Sequence, residues 1–185
     1  MEFYVVRHGQ TDYNVKQLFQ GHIDIALNDV GIAQAKETAL KFENIDINVI
    51  LVSPLKRAVQ TAMYITEKVK IPIIIEERLI ERSFGKMEGC KNRDDWNIEM
   101  MLDYEKNFII DDIEPIQSLF ERIYSFLDEI TQKYKEEKVL LVTHGAVSQV
   151  IECYFNGKPD IIDFEHLEKL TLKNCEVRKY IKKEK

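Results

Sequence analysis

No stretch of the 185-residue chain is apolar for more than about six residues, far short of the ~20 needed to span a bilayer. No membrane association is expected. Glycine and proline are sparse, seven and four, and form no linker, repeat or low-complexity segment, so the chain reads as one domain over 1–185. The three cysteines, Cys90, Cys153 and Cys175, are odd in number, widely spaced and lack a Cys-x-x-Cys pair. They exclude a disulfide framework and fit free thiols in a reducing compartment. Positive charge is in deficit, 26 Lys+Arg against 32 Asp+Glu, for a formal net charge of −6. That excludes a broadly basic nucleic-acid binder, so no nucleic-acid partner is expected. The opening Met1-Glu2-Phe3-Tyr4-Val5-Val6 is too short and too acidic for a secretory signal, and a cytoplasmic location is expected.

What is present is an ordinary globular composition, 45% apolar and 31% charged. Short Val/Ile/Leu-rich runs at Phe3–Val6, Val49–Val52, Ile71–Ile75 and Val139–Val142 read as strands covered on both faces. Helical spacing lies between them. Asn28 or Asp29 caps a helix to about Phe42, and Ser53-Pro54 opens another with Ser53 as N-cap. Pro115 starts a long helix to about Lys135, and one more follows Gly145. Stretches near Leu167–Leu172 and Glu176–Ile181 are expected as edge strands, the second guarded by Lys179, Lys182 and Lys183. The alternation predicts an α/β fold, a three-layer αβα sandwich with a mostly parallel central sheet. Sites in such sheets form at the carboxyl ends of the strands.

Two of those strand ends carry the same dipeptide. The first strand runs into Arg7-His8-Gly9 and a later one into Thr143-His144-Gly145. If the strands are parallel neighbours, both imidazoles enter one crevice. Arg57 falls in the first turn of a helix, where the dipole favours an anion over a cation. It is either a surface side chain or part of an anion site shared with backbone N–H groups. Arginine is scarce, seven in all, and Arg7 and Arg57 both stand at strand ends, which favours the anion site. Glu81 lies in a loop with Gly85 and Gly89; by itself it reads as a solvated carboxylate.

Together these residues resemble the histidine phosphatase superfamily, the group that includes cofactor-dependent phosphoglycerate mutases. The likeness rests on Arg7-His8-Gly9 with Asn14, Gln20-Gly21…Leu27…Gly31…Gln34-Ala35, Ser53-Pro54…Arg57-Ala58…Gln60-Thr61-Ala62, Glu81…Gly85…Glu88-Gly89 and His144-Gly145. It covers nearly the whole chain in order. It implies that His8 becomes a phosphohistidine, that Arg7, Arg57 and His144 form the phosphate pocket, and that Glu81 protonates the leaving group. Asn14, the backbone at Gln20 and Gly21, and Gly145 are implied phosphate neighbours, and Arg82 an implied substrate neighbour. The physical logic agrees. A phosphate monoester carries about −1.5 to −2 charge at neutral pH, which guanidiniums neutralise and orient. Arg7 and Arg57 would also disfavour a charged His8, and a nucleophile must be neutral.

No cofactor is expected, and no metal: His22 and His166 complete the histidines without ligand spacing. The segment Lys91–Glu114 holds eight acidic and three basic residues and lies where relatives place a substrate-covering insert. Trp96, Met100, Tyr104 and Phe108, four apart, read as the packing face of one amphipathic helix or as an apolar lid over a ring-bearing leaving group. The acidic excess predicts a monophosphate over a bisphosphate substrate. Ile116-Gln117-Ser118 replaces the family's Gly-Glu-Ser, leaving a carboxylate missing.

The expected activity is hydrolysis of a small phosphorylated metabolite by a metal-independent phosphomonoesterase, with alpha-ribazole phosphatases, of similar size, as one candidate type. A phosphoglycerate mutase is the alternative, though its paired insert arginines are represented here only by Arg93. A non-catalytic phosphate-binding module is the second. The protein is expected as a monomer or homodimer.

Overall fold

A computed structural model describes residues 1–91, 98–110, 112–158 and 164–182. Trp96, Arg93 and Lys183, named above, lie outside them. Five strands form one sheet: β1 (Glu2–Arg7), β2 (Val49–Val52), β3 (Ile73–Ile75), β4 (Lys138–Thr143) and β5 (Val177–Ile181), in the order β3-β2-β4-β1-β5. The first four are mutually parallel and β5 runs antiparallel against β1. The fold is the expected mixed α/β one.

Strand periodicity sorts the core into two halves. Phe3, Val5, Leu51, Val139 and Leu141 face one side, and Tyr4, Val6, Ile50, Val52, Leu140 and Val142 the other. The first set packs on helices α5 (Ile116–Lys133) and α6 (Gly145–Asn156), the second on α2 (Asp29–Leu40) and α3 (Lys56–Val69), giving three layers. In α5 the buried Leu119, Phe120, Ile123, Phe126, Leu127 and Ile130 recur at three and four, the stripe that sends a helix onto a sheet. The remaining helices are short: α1 (Asp12–Lys16), α4 (Ile98–Leu102) and α7 (Phe164–Leu170). No helix among the described residues is long and apolar enough to cross a membrane. Cys90, Cys153 and Cys175 are free thiols.

Four expectations change. Leu167–Leu172 is not a strand; most of it lies in α7, which buries Leu167 and carries an i,i+4 Glu165–Lys169 ion pair. Lys91–Glu114 is not one helix, since α4 ends at Leu102 and Asn107 has a left-handed φ of 44°. Ser53 does not cap α3, whose N-cap is Leu55 without a side-chain bond; its hydroxyl accepts from Leu55 N at 3.4 Å, ahead of the helix, and meets His144 Nε2 at 2.6 Å. Strand β3 is a sheet edge, so Ile74 and Ile75 are 49% and 44% exposed rather than covered on both faces.

Candidate active site

The parallel register pairs Arg7 with Thr143, and His8 N–H continues it onto Thr143 O at 2.9 Å. The next residue of each strand is therefore a histidine, side by side. Their rings lie 5.2 Å apart, both buried. His8 is fixed from several directions. Its Nδ1 is 2.8 Å from Gly9 O, so Nδ1 carries the proton and Nε2 keeps its lone pair. Asn174 Nδ2 donates to its carbonyl at 2.9 Å. His144 Nε2 meets Ser53 Oγ at the end of β2, 2.6 Å away.

Arg57 is fully buried at the start of α3. Its Nη2 donates to Gly21 O and its Nη1 to Ile23 O, both at 2.8 Å. These bonds fold the Gln20–Ile23 turn against the strand ends. Gly21 adopts φ +46°, and a side chain there would collide with the Glu88 carboxylate. Arg7 donates from Nη1 to Leu172 O at 2.8 Å, and α6 can pass its guanidinium because residue 145 is glycine: a Cβ there would sit 3.3 Å from Arg7 Cζ. Burial pushes Arg57 and Arg82 each down to about 10, and Arg7 downward too, while Glu81 pulls all three back up. All three stay cationic at neutral pH.

That charge acts on the histidines. Burial, then Arg7 and Arg57, hold His8 well below its ordinary value; burial, Arg57, His8 and Arg7 do the same to His144. Both rings are neutral at physiological pH. Arg7 Nε, Arg57 Nε, Arg82 Nη1 and His144 Nδ1 are buried with no hydrogen-bond partner among the described residues. Buried polar groups left unpaired cost about 1–3 kcal/mol each, more when charged, so the cluster suits an anionic ligand.

The structure gathers eight of the ten sequence-named residues on one cavity of about 240 Å³: Arg7, His8, Asn14, Gln20, Gly21, Glu81, Arg82 and Gly145. The other two, Arg57 and His144, stand directly behind it. Asn14 accepts from Thr11 N and Oγ1 within the α1 cap, which leaves its Nδ2 as the donor end. Glu81 is 8% exposed; Oε1 accepts from Arg82 N at 3.0 Å and Oε2 from Ala146 N at 3.3 Å, at the N-terminus of α6. Arg82 donates to Glu114 O and Met101 O, both at 2.8 Å.

Leu18, Phe19, Phe84, Met101 and Leu102 supply an apolar wall that sequence spacing did not reveal. Phe19 and Phe84 meet with ring centroids 4.9 Å apart. Of the expected stripe, Tyr104 packs on Phe120 at the core, in keeping with the packing alternative and not the lid. Of the acidic residues after Leu102, Asp103, Glu105, Asp112 and Glu114 do not line the cavity. Asp103 pairs with Lys106 and Glu114 with Arg122, while Asp94, Asp95 and Asp111, on which the charge argument for monophosphates also rests, lie outside the described residues. Gln117 donates from Nε2 to Tyr104 O at 2.7 Å, a bond the expected carboxylate could not make. Among the described residues no group of three or more His, Cys, Asp or Glu is placed to hold a metal ion.

The family model for the histidine phosphatase superfamily (branch 1) matches residues 3–184. The chain belongs to that superfamily. PhoE of Bacillus subtilis, named an uncharacterized phosphatase, is 34% identical over 93% of this chain and 86% of its own length. The phosphoglycerate mutase-like protein 4 of Arabidopsis thaliana is 35% identical over 85% of this chain and 71% of its own. A solved phosphoserine phosphatase from Entamoeba histolytica, bound to 3-phosphoglyceric acid, is 26% identical with a TM-score of 0.83, covering 97% of this chain and 90% of that one. Membership and the phosphatase-named relatives support an enzyme of the phosphatase class.

Proposed function

We propose that this phosphatase hydrolyses a small phosphate monoester in two steps through a phosphohistidine on His8, without a metal ion. The observation carrying this reading is the state of His8. It is a buried imidazole held neutral by burial, Arg7 and Arg57, with Nδ1 committed to Gly9 O and Nε2 unbonded among the described residues. In the first step Nε2 attacks phosphorus, the P–O ester bond breaks, and Glu81 gives its proton to the departing oxygen. In the second, the Glu81 carboxylate takes a proton from the attacking water, the new oxygen bonds phosphorus as the N–P bond breaks, phosphate leaves, and both the imidazole and the protonated Glu81 are restored. Arg7, Arg57 and a proton-sharing His144 offset charge on the phosphoryl oxygens. Enzymes accelerate monoester hydrolysis by up to about 10²¹-fold, and general acid catalysis supplies only about 10²–10⁴ of that, so covalent attack and fixed charge supply most of the rest.

The apolar wall fits a leaving group with hydrocarbon or ring character, as in an alpha-ribazole-like ester. The free thiols fit a cytoplasmic setting.

The test is hydrolysis of p-nitrophenyl phosphate in EDTA by wild type and His8→Ala. Wild type is expected to turn over, the variant to lose at least about 10³-fold, in line with loss of a nucleophile. An acid-labile, alkali-stable phosphoenzyme should be trapped in wild type alone. Activity requiring added metal, or surviving loss of His8, overturns the mechanism. Formation of 2-phosphoglycerate from 3-phosphoglycerate and bisphosphoglycerate would make the protein a mutase instead.

A further inference from the structure

Glu81 sits on a stretch with neither helix nor strand, so its aim depends on ties from elsewhere. Among the described residues its carboxylate has only the Arg82 and Ala146 N–H groups. Its main-chain carbonyl has a different partner: His22 Nε2, 2.8 Å away and fifty-nine residues earlier in the chain. A carbonyl only accepts, so Nε2 of His22 carries a proton.

The backbone of His22 is itself held on three sides. The carbonyls before and after it, Gly21 and Ile23, are the two that Arg57 binds. Its own N–H donates to Glu88 Oε1 at 2.9 Å, and the same oxygen accepts from Phe84 N at 3.0 Å, three residues beyond Glu81. On the other side, Arg122 Nη1 donates to Ile80 O at 3.0 Å. The peptide units flanking Glu81 are thus clasped by Arg122 before and His22 after, and only His22 leads back to Arg57.

We propose that His22 is a positioning residue for Glu81: through the Glu81 carbonyl it sets the reach of the carboxyl group toward the leaving oxygen, from a turn that Arg57 holds. The proposal rests on Glu81 acting as the general acid, as put forward above. His22 touches neither phosphate nor leaving group. Its loss should therefore be felt where proton donation matters and little where it does not. A merely structural tie would lower all substrates alike.

The test compares kcat/KM for phenyl phosphate, a poor leaving group, with p-nitrophenyl phosphate, a good one, in wild type, His22→Ala, His22→Gln and Glu81→Ala. The ratio of the two substrates cancels any change in folded fraction. A misaimed acid forfeits part of a general-acid contribution of about 10²–10⁴. His22→Ala should accordingly cost about tenfold on phenyl phosphate and less than about threefold on the nitrophenyl ester. His22→Gln, whose amide N–H can donate to the same carbonyl, should recover most of the loss. Equal losses on both esters, or no rescue by glutamine, overturn the proposal while wild-type turnover and a selective Glu81→Ala defect leave the function standing. Wild type inactive on both esters, or a Glu81→Ala defect equal on both, removes the reading beneath it and the proposal together.

Discussion

The floor of the cavity and its wall are built by opposite means. The floor, His8, His144, Arg7 and Arg57, stands at strand ends or a helix start, is buried except for the half-buried Arg7, and is tied to backbone carbonyls or to Ser53. The wall, Leu18, Phe19, Phe84, Met101 and Leu102, comes from loops and the short α4, and its members meet each other mainly by apolar contact. Directional hydrogen bonds on side chains rooted at the sheet's strand ends fix atoms to fractions of an ångström, as in-line attack on phosphorus demands. Apolar contact fixes only volume, which is enough to choose among leaving groups. The two regions should therefore fail differently when altered.

The sharpest break is on the floor. Arg57→Met removes a buried guanidinium that holds both the Gln20–Ile23 turn and the positive field around His8. Loss of one preorganised charge-stabilising donor costs about 10²–10³ in rate, and here turn geometry goes with it, so kcat/KM on any monoester should fall by about 10³. Steady-state assays across small and aromatic esters check this. A drop below about tenfold, or one confined to aromatic esters, would dissolve the distinction between floor and wall.

The same contrast decides what was legible in the sequence. The floor could be read because a buried strand followed by His-Gly is a local pattern, and two such patterns meet whenever their strands pair in register. The wall could not. Phe19 and Phe84 are sixty-five positions apart, and Met101 and Leu102 reach the cavity because α4 stops at Leu102, which misaligns the Met100–Tyr104 spacing that a continuous helix would present. Ser53 was misplaced for a related reason. A Ser before Pro suits an N-cap, but the helix starts two residues later than that, and the hydroxyl's shorter contact is a tertiary one with His144. Residues 167–172 alternate enough to pass for a strand, and the burial of Leu167 inside a helix is decided by contacts that periodicity does not record. His22 looked like a leftover histidine because its partner is a main-chain carbonyl, a group with no sequence signature.

A smaller effect separates the regions by pH. His8 and His144 are both held neutral in the folded protein, with values depressed below 6.5. Unfolded, each takes up a proton as pH falls through 6.5; folded, each resists. The unfolded state then binds more protons, so stability present above pH 6.5 is lost on acidification, by up to about 1.4 kcal/mol per pH unit for each histidine until its folded value is reached. Thermal unfolding between pH 7.5 and 5.5 should show a falling midpoint. His8→Gln, with one such imidazole gone, should cut that slope by about half, whereas Met101→Ala in the wall should leave the slope unchanged. An unaltered slope in His8→Gln would mean that the floor is not where the proton-linked instability resides.

The smallest expected effect belongs to the wall and tests whether it selects at all. Met101 is buried and lines the cavity, yet its tie to Arg82 is through its own main-chain oxygen. Met101→Ala therefore removes apolar wall atoms and keeps that bond. Burying a methylene contributes about 0.8 kcal/mol, so a leaving group touching the missing atoms should lose about 1–2 kcal/mol, or about tenfold in kcat/KM. A small ester that never reaches the wall should change by less than about twofold. Phenyl phosphate against methyl phosphate gives the comparison, and their ratio is independent of how much enzyme is folded. That control matters because emptying a core position also lowers stability. An equal loss on both esters would place Met101 with the floor, acting through Arg82 rather than through contact with the leaving group.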